Sequence, residues 1–245
     1  MYLFGGNKPW DASQFTASDD RVRGGKSQSY LTVVPAPPAP ASGSQAEFSG
    51  HLDITALGGA GFASQRTADG VAGWDVSGYD ALVLDVARAD ARKYTLTLKD
   101  EVLPRRPDGR DQSTVSWEYD FVVKPEEDGV AAGAGSTAGS TRVVIPFGEF
   151  QPTYRGKPKS DAEPLDLKNV KRISFMMRSF FGDQEGDFSI VFNSVAAEKK
   201  GGDRDGSIDS VAAAKAARQE GQHGESGAKG STLTSWIGRL CSLGR

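Results

Sequence analysis

Side chains that form disulfides or bind metals are scarce in this sequence. Its 245 residues include one cysteine, Cys241, and two histidines, His51 and His223. A single cysteine forms no disulfide within the chain, and it suits a reducing compartment. With so few cysteines and histidines, the usual ligand sets of zinc sites are missing. We therefore expect no metal site and no cofactor.

The sequence also lacks a recognisable catalytic motif. His51 lies in a strand-like segment without a nucleophile elbow, which favours a histidine satisfied by a neighbouring side chain over a catalytic relay. Asp19 and Asp20 are the obvious pair of acids, but neighbours in an extended stretch point apart and cannot face each other across a glycoside. Calcium binding by these acids is an alternative, although a turn capped by Arg21 or Arg23 fits them better. We expect a protein that is not an enzyme.

No hydrophobic run reaches the length of a membrane-spanning helix, and basic residues are not in excess. Lysine plus arginine number 29 and aspartate plus glutamate number 32, so the formal net charge is -3. Such a charge gives no general attraction for nucleic acids or acidic lipids. The first ten residues lack the basic and apolar zones of a signal peptide, and Asp11 precedes the first arginine, Arg21. On these grounds we expect a cytoplasmic protein with no transmembrane segment and no nucleic-acid partner.

The chain does contain a long series of short β-type segments. Tyr94, Leu96 and Leu98 alternate with polar residues, as in a strand that buries one face. Without a convincing long helix before residue 197, the nine or ten predicted strands indicate an all-β protein, an antiparallel β-sandwich of jelly-roll type. Trp10 and Phe15 would anchor an N-terminal arm on this domain. Further strand-like segments cover residues 29–34, 47–54, 81–86, 116–123, 141–145, 173–177 and 188–195.

Composition changes mark the limits of the predicted domain. We expect one domain over residues 1–197, with a flexible insertion at about 128–140 that consists almost only of small residues. Residues 198–230 have the composition of a disordered linker. Residues 231–245 form a short amphipathic segment that could dock on the domain, bind a partner or make peripheral membrane contact. Its apolar face consists of Leu233, Trp236, Ile237 and Leu240.

Three polar or glycine-rich stretches are candidate loops. Residues 18–27, Ser-Asp-Asp-Arg-Val-Arg-Gly-Gly-Lys-Ser, predict a turn that presents side chains and amides outward. Residues 104–111 hold three arginines that could contact a partner, although a solvated hairpin tip is the simpler interpretation. The glycines of residues 57–61 lack the following helix that a dinucleotide fingerprint needs, and they predict the entry to a strand.

An ordered set of short motifs runs through most of the predicted domain. It begins with Trp10 and the Asp-Asp-Arg turn, and continues with Phe-Ser-Gly at 48–50, Gly-Phe-Ala-Ser-Gln-Arg at 61–66 and Asp-Val-Ser-Gly-Tyr-Asp at 75–80. It ends with Tyr-Thr-Leu at 94–96, Ile-Pro-Phe at 145–147 with Phe150, Tyr-Arg-Gly at 154–156 and Glu-Gly-Asp-Phe at 185–188. Together these motifs resemble the NADH:ubiquinone oxidoreductase complex I intermediate-associated protein 30 family.

The resemblance implies a galactose-binding-like β-sandwich and, for mitochondrial members, a chaperone-like role in assembling complex I. This means a non-enzymatic module with a protein partner, such as a complex I assembly intermediate, and a mitochondrial location. A carbohydrate or small-ligand binding module of the same fold is the alternative. The resemblance also suggests that the Asp-Asp-Arg and Tyr-Arg-Gly turns meet at one site. The candidate partner- or ligand-binding residues are Asp19, Asp20, Arg21, Arg66, Tyr154 and Arg155.

Overall fold

Antiparallel strands account for most of the ordered structure. The computed structural model describes residues 1–35, 43–123 and 139–199. Within these ranges there are thirteen β-strands and no α-helix, which confirms the all-β prediction. No helix in the described part of the chain is long and apolar enough to cross a membrane. Three short 3-10 helices cover Ala12–Gln14, Asp20–Arg23 and Phe147–Glu149.

Six of the strands form sheet A. In spatial order they are β3 (Gln28–Pro35), β4 (Ser44–Leu52), β13 (Gly186–Glu198), β6 (Ala81–Ala89) and β9 (Thr141–Pro146), with β1 (Tyr2–Gly5) paired to β13. Strand β4 pairs with the first half of β13, up to Phe192, and β1 pairs with Ser194–Ala196 beyond it. Strand β1 therefore continues, on the same side of β13, the pairing that β4 begins.

The other seven strands form sheet B, which also pairs antiparallel throughout. In spatial order the strands are β11 (Lys157–Pro158), β10 (Gln151–Tyr154), β8 (Ser116–Val122), β7 (Lys93–Lys99), β12 (Arg172–Arg178), β5 (Phe62–Thr67) and β2 (Phe15–Ala17).

The core lies between the two sheets because their strands alternate between apolar and polar side chains. On β7, Tyr94 and Leu96 are buried in the core, while Thr95 points to the opposite side of the sheet. Rings from both sheets meet in the centre, where the centroids of Phe175 and Phe192 are 4.7 Å apart. The side of sheet B that faces away from this core is called its outer face below.

The N-terminal arm packs on the domain, as the sequence predicts. Trp10 and Phe15 are both buried, and the Trp10 ring nitrogen donates to the carbonyl oxygen of Asn193 at 3.0 Å. Phe4 of β1 stacks on Trp10 with 5.6 Å between ring centroids. Three predicted segments fall wholly or almost wholly outside the described residues: the insertion at 128–140, the linker at 198–230, and the amphipathic segment with Leu233, Trp236, Ile237 and Leu240.

Candidate functional site

Asp20 joins the two sheets from a fully buried position. Its carboxylate accepts hydrogen bonds from the backbone N–H and the hydroxyl of Ser27, at 3.1 and 2.7 Å. It also accepts from the backbone N–H of Phe62 at 3.1 Å. Ser27 immediately precedes β3 of sheet A, and Phe62 begins β5 of sheet B. One carboxylate therefore links the start of β3 in one sheet to the start of β5 in the other.

Asp19 repeats this pattern two residues further along both strands. It accepts from the N–H and hydroxyl of Ser29 at 3.1 and 2.6 Å, and from the N–H of Ser64 at 2.9 Å. Burial raises the pKa of Asp19, while the hydrogen bonds from Ser29 and Ser64 oppose that rise. The expectation that the turn presents these acids outward is wrong, because the 3-10 helix turns them towards the sheets. Their role as partner- or ligand-binding residues stays a prediction.

The glycines of the Asp-Asp-Arg turn leave room for these carboxylates. A Cβ at Gly25 would overlap the Asp20 carboxylate, and one at Gly61 would overlap the carbonyl oxygen of Asp53. Gly24 ends the 3-10 helix in the left-handed region, with φ 87°. The Gly-Gly pair thus allows the chain to reverse and then lie directly against a buried acid.

The Tyr-Arg-Gly motif is a tight hairpin at the far edge of sheet B. Arg155 and Gly156, with φ 52° and 74°, are the two residues between β10 and β11, as in a type I′ turn. The Arg155 guanidinium lies 5.3 Å from the centroid of the Tyr154 ring, and its Nε donates to the Ser113 hydroxyl at 3.2 Å. The Tyr154 side chain is partly exposed. Both candidate residues therefore belong to one exposed turn.

The expectation that the Asp-Asp-Arg and Tyr-Arg-Gly turns share one site is wrong. The first turn follows β2, at one edge of sheet B, whereas the second connects β10 and β11 at the other edge. Six strand spacings of nearly 5 Å separate the edge strands β2 and β11. The acids hold β3 against β5 instead of against the Tyr-Arg-Gly turn. The order of strands in a sheet decides which turns become neighbours, and short motifs do not encode that order.

Arg21 lies on the exposed side of the 3-10 helix, at the end of sheet B where β5 begins. Its neighbour Val22 is 70% exposed, and the Arg23 guanidinium lies 5.5 Å from the Phe62 ring centroid. Phe62 pairs with Arg178, the last residue of β12. The exposed residues of the Asp-Asp-Arg turn therefore share this end of the sheet with the loop that follows β12.

That loop, residues 179–184, is here called the Phe181 loop. Phe180 and Phe181 have φ 47° and 64°, a left-handed conformation that costs a bulky residue about 1–2 kcal/mol. The Phe180 ring lies against two cations, with Lys93 Nζ and Arg178 Cζ at 4.2 and 4.6 Å from its centroid. The Phe181 side chain is 93% exposed. Because strained backbone positions cluster at functional sites, the Phe181 loop is a candidate binding surface.

Hydrogen bonds hold the Phe181 loop on both sides. The Gln184 side-chain nitrogen donates to the carbonyl oxygens of Lys93 and Arg178, at 2.8 and 2.7 Å. Its side-chain oxygen accepts from the N–H of Lys93 at 3.1 Å. On the other side, the N–H of Ser179 donates to the carbonyl oxygen of Gly61 at 2.9 Å. These bonds tie the loop to β7 and to the start of β5, and so fix the position from which Phe181 projects.

Sequence reasoning missed Phe181. The available signal was the Phe-Phe-Gly run at 180–182, shortly after the predicted strand at 173–177. Two apolar residues at the end of a strand fit a core position equally well, so this signal is ambiguous. Only the tertiary structure separates Phe180, whose ring lies against Lys93 and Arg178, from Phe181, whose side chain is 93% exposed.

The outer face of sheet B is polar and densely hydrogen-bonded. Arg178 donates to Glu118 at 2.7 Å and to both oxygens of Asp120 at 2.7 and 2.8 Å. Thr95 also donates to Asp120, at 2.6 Å. In the described residues, two buried polar atoms on this face have no hydrogen-bond partner, the Thr97 hydroxyl and Arg178 Nε. The face thus combines paired charges with unused hydrogen-bonding capacity.

Arg66 lies on the same face near the opposite end of β5, and its side chain is buried. It forms ion pairs with Asp69 and Asp111, at 3.1 and 3.4 Å.

His51 lies in an exposed ion pair. Its Nδ1 is 2.7 Å from Asp187, and both side chains are exposed. This matches the prediction of a histidine satisfied by a neighbour. The described residues contain no group of three or more His, Cys, Asp or Glu side chains placed to hold a metal ion.

Two solved structures with a similar fold are carbohydrate-binding modules of Clostridium thermocellum. One is the family 11 module of a cellulosomal cellulase, with TM-score 0.50 and 16% sequence identity, covering 82% of this chain and 96% of that chain. The other is a family 11 module in complex with a β-1,3-1,4-mixed-linked tetrasaccharide, with TM-score 0.45 and 16% identity, covering 76% of this chain and 89% of that chain. The first likeness confirms the class of the protein, a β-sandwich of the galactose-binding-like, jelly-roll type.

Within that class, the sequence identifies the family. The pattern of the family described as Complex I intermediate-associated protein 30 matches residues 3–192. An uncharacterized protein of Schizosaccharomyces pombe is 40% identical over 201 residues, which cover 82% of this chain and 84% of that protein. The chain therefore belongs to the Complex I intermediate-associated protein 30 family, as its ordered motifs predict.

Proposed function

We propose that this protein is a non-enzymatic binding module that holds a protein partner through the Phe181 loop, and that the partner is an assembly intermediate of respiratory complex I. The observation that carries the binding role is Phe181, a large aromatic side chain that is 93% exposed on a strained backbone. The complex I part rests on the family. The same reasoning makes the mitochondrion the expected compartment.

The loop suits a protein interface for physical reasons. Burying an exposed phenylalanine in a partner pocket contributes about 1.5–3 kcal/mol. Because the loop is already hydrogen-bonded at both ends, little backbone entropy is lost when it binds. Arg21 and Arg23 lie at the same end of the sheet and would supply a polar, cationic rim around Phe181. Phe181 is thus the expected anchor, with the arginines guiding the approach of an acidic partner surface.

The test is deletion of the gene followed by rescue with single variants. We expect deletion to lower the amount of assembled complex I, measured on native gels. The intact protein and Tyr30→Ala should restore it, since Tyr30 is an exposed aromatic residue on β3 of the other sheet. Phe181→Ala should not restore it. Pull-down with the intact protein should contain complex I subunits, and the Phe181→Ala sample should lose them.

Different failures of this experiment have different meanings. Normal complex I after deletion would refute the complex I role, whatever the binding results. Rescue by Phe181→Ala with an unchanged set of complex I subunits in the pull-down would refute the Phe181 loop as the binding surface. Thermal unfolding of each purified variant checks that loss of rescue does not reflect loss of the fold.

Carbohydrate binding on the outer face of sheet B is the second candidate function. It is favoured by the carboxylates of Glu118 and Asp120 around the Arg178 guanidinium, since sugars bind through networks of such groups. Binding on a glycan array that disappears in Glu118→Gln and persists in Phe181→Ala would support this function. An array without signal for the intact protein would count against it.

A further inference from the structure

A cluster of arginines lies at the end of sheet B opposite the Phe181 loop. Arg66 and Arg172 project from neighbouring strands β5 and β12, and each is only 7% exposed. Both approach the carboxylate of Asp69, at 3.1 and 2.8 Å, and that of Asp111, at 3.4 and 3.2 Å. Arg105 adds a third guanidinium, 2.7 Å from Asp69 and 3.5 Å from Asp111. Three guanidiniums thus share two carboxylates.

Among the five side chains of this cluster, three are positive and two are negative. Burial, reinforced by the charge of Arg66, lowers the pKa of Arg172. Burial, followed by the charge of Arg172, lowers the pKa of the nearby Lys99 to about 8. A cation next to another buried cation favours the arrival of negative charge. Guanidiniums therefore outnumber carboxylates by three to two in this cluster.

A pocket of about 440 Å³ opens directly onto this cluster. Arg105, Lys171 and Arg172 line it together with Asp69 and Asp111, so three cations face two carboxylates, and Arg66 lies behind them. The remaining wall is apolar or glycine and includes Val71, Val102, Leu103 and Pro104. Arg105 is half exposed at the mouth, where its side chain has freedom to turn towards a ligand.

We propose that this pocket binds a compact oxyanion, a carboxylate or phosphate group carried on an apolar body. Guanidinium groups match the two oxygens of a carboxylate or phosphate in a bidentate geometry, and a partly buried pair of arginines strengthens that contact. The apolar wall would take the body of the ligand. Asp69 and Asp111 keep the two buried arginines in place, and Arg105, the exposed member, moves from them to the ligand.

An ion-pair network that only fastened the loops to the sheet would look different in two respects. Its charges would balance, and it would not open onto a pocket with an apolar wall. This proposal also stands apart from the proposed function, because the pocket and the Phe181 loop occupy opposite ends of β5 and β12.

The experiment is calorimetric titration of the full chain with three probes at constant ionic strength. The probes are inorganic phosphate, a short peptide with an apolar C-terminal residue and a free carboxylate, and the same peptide as an amide. The variants are Arg105→Gln and Lys171→Gln, both at accessible positions, with Arg88→Gln as the control on sheet A, where that side chain is 73% exposed. Sodium chloride at the same ionic strength gives the baseline.

We expect phosphate or the free-acid peptide to bind. The dissociation constant should be at least tenfold higher for Arg105→Gln and unchanged for Arg88→Gln. Binding of the free acid but not of the amide would identify a carboxylate ligand, and binding of phosphate alone would identify a phosphate ligand. Absence of binding by both anions, or equal binding by Arg105→Gln, Lys171→Gln and the intact protein, would overturn the proposal.

Discussion

At the scale of single residues, two glycines of similar appearance in the sequence have different physical roles. Gly25 lies where a Cβ would overlap the Asp20 carboxylate, whereas Gly78 has no other atom within 4 Å of that position. The two positions differ in the space available for a Cβ and not in backbone conformation, since neither glycine has a left-handed φ. Gly25 is thus part of the link between the sheets.

We predict that Gly25→Ala lowers the free energy of unfolding by about 1–3 kcal/mol, the usual cost of forcing a methyl group into a packed site. Gly78→Ala should change it by less than about 0.5 kcal/mol. Urea unfolding of both variants measures the difference. Equal stability of the two variants would show that the Asp20 carboxylate moves aside without cost.

The partly buried amine of Lys99 gives a second prediction. Its Nζ donates to Thr114 and Val115, and burial followed by the charge of Arg172 lowers its pKa from 10.5 to about 8. Between these two values the unfolded chain binds more protons than the folded one, so the stability contribution of Lys99 rises with pH in that window. Below about pH 8 both states are protonated, and the contribution stays constant.

The stability difference between the intact protein and Lys99→Met should therefore increase from pH 8 to pH 10.5 in favour of the intact protein. We expect an increase on the order of 2 kcal/mol, because one pKa unit equals about 1.4 kcal/mol and Lys99 is partly exposed to screening solvent. Lys8→Met, an exposed lysine, serves as the control. Parallel stability curves for the intact protein and Lys99→Met would contradict the low pKa.

At the scale of elements, two turns of sheet B each contain a pair of residues in the left-handed conformation, but with different side chains. Arg155 and Gly156 adopt left-handed conformations because a two-residue hairpin needs them. Phe180 and Phe181 adopt them at the centre of a turn closed by the bond from the Gly182 N–H to the Ser179 carbonyl oxygen, 3.0 Å long. Glycine or asparagine would adopt this conformation at lower cost, so the phenylalanine at position 181 makes the turn more strained than its geometry requires.

We predict that Phe181→Asn raises the free energy of unfolding by up to about 1 kcal/mol, since asparagine tolerates the left-handed region and no packed surface is lost. Phe181→Ala should leave stability nearly unchanged, because alanine has the same left-handed cost as phenylalanine. Thermal and urea unfolding measure both variants. A lower stability of Phe181→Asn would mean that the phenylalanine ring packs on the domain.

At the scale of the whole molecule, the N-terminal strand completes the sandwich. The Phe4 ring packs against Phe15 and Trp74, with centroids 4.9 and 5.4 Å apart, and it is 2% exposed. Tyr2 of the same strand is 44% exposed. Strand β1 therefore contributes to the core shared by both sheets, although it lies at the start of the chain.

We expect Phe4→Ala to lower the free energy of unfolding by about 3–5 kcal/mol, the usual cost of a cavity left by a buried ring. Tyr2→Ala should cost less than about 1 kcal/mol. Both variants should still unfold in one cooperative transition, monitored by fluorescence and by circular dichroism. An early separate transition in Phe4→Ala would show that the arm is an independent element.

The sequence alone determined where most strands lie and to which family the chain belongs. Alternation of apolar and polar residues is a local property, which is why the segments at Tyr94 and Phe188 match β7 and β13. The burial of Trp10 and Phe15 was equally predictable, because large aromatic rings in a short terminal segment have few other places to go.

Only the tertiary structure decided which of these segments meet. The positions of Asp20 between two sheets, of Arg66 beside Arg172, and of the Tyr-Arg-Gly turn at the opposite edge of sheet B from the Asp-Asp-Arg turn depend on strand order. Strand order is set by the total burial of all strands together, so no single motif carries it. For the same reason, the sequence could not separate a buried Asp-Asp pair from an exposed one, or the exposed Phe181 from a core phenylalanine.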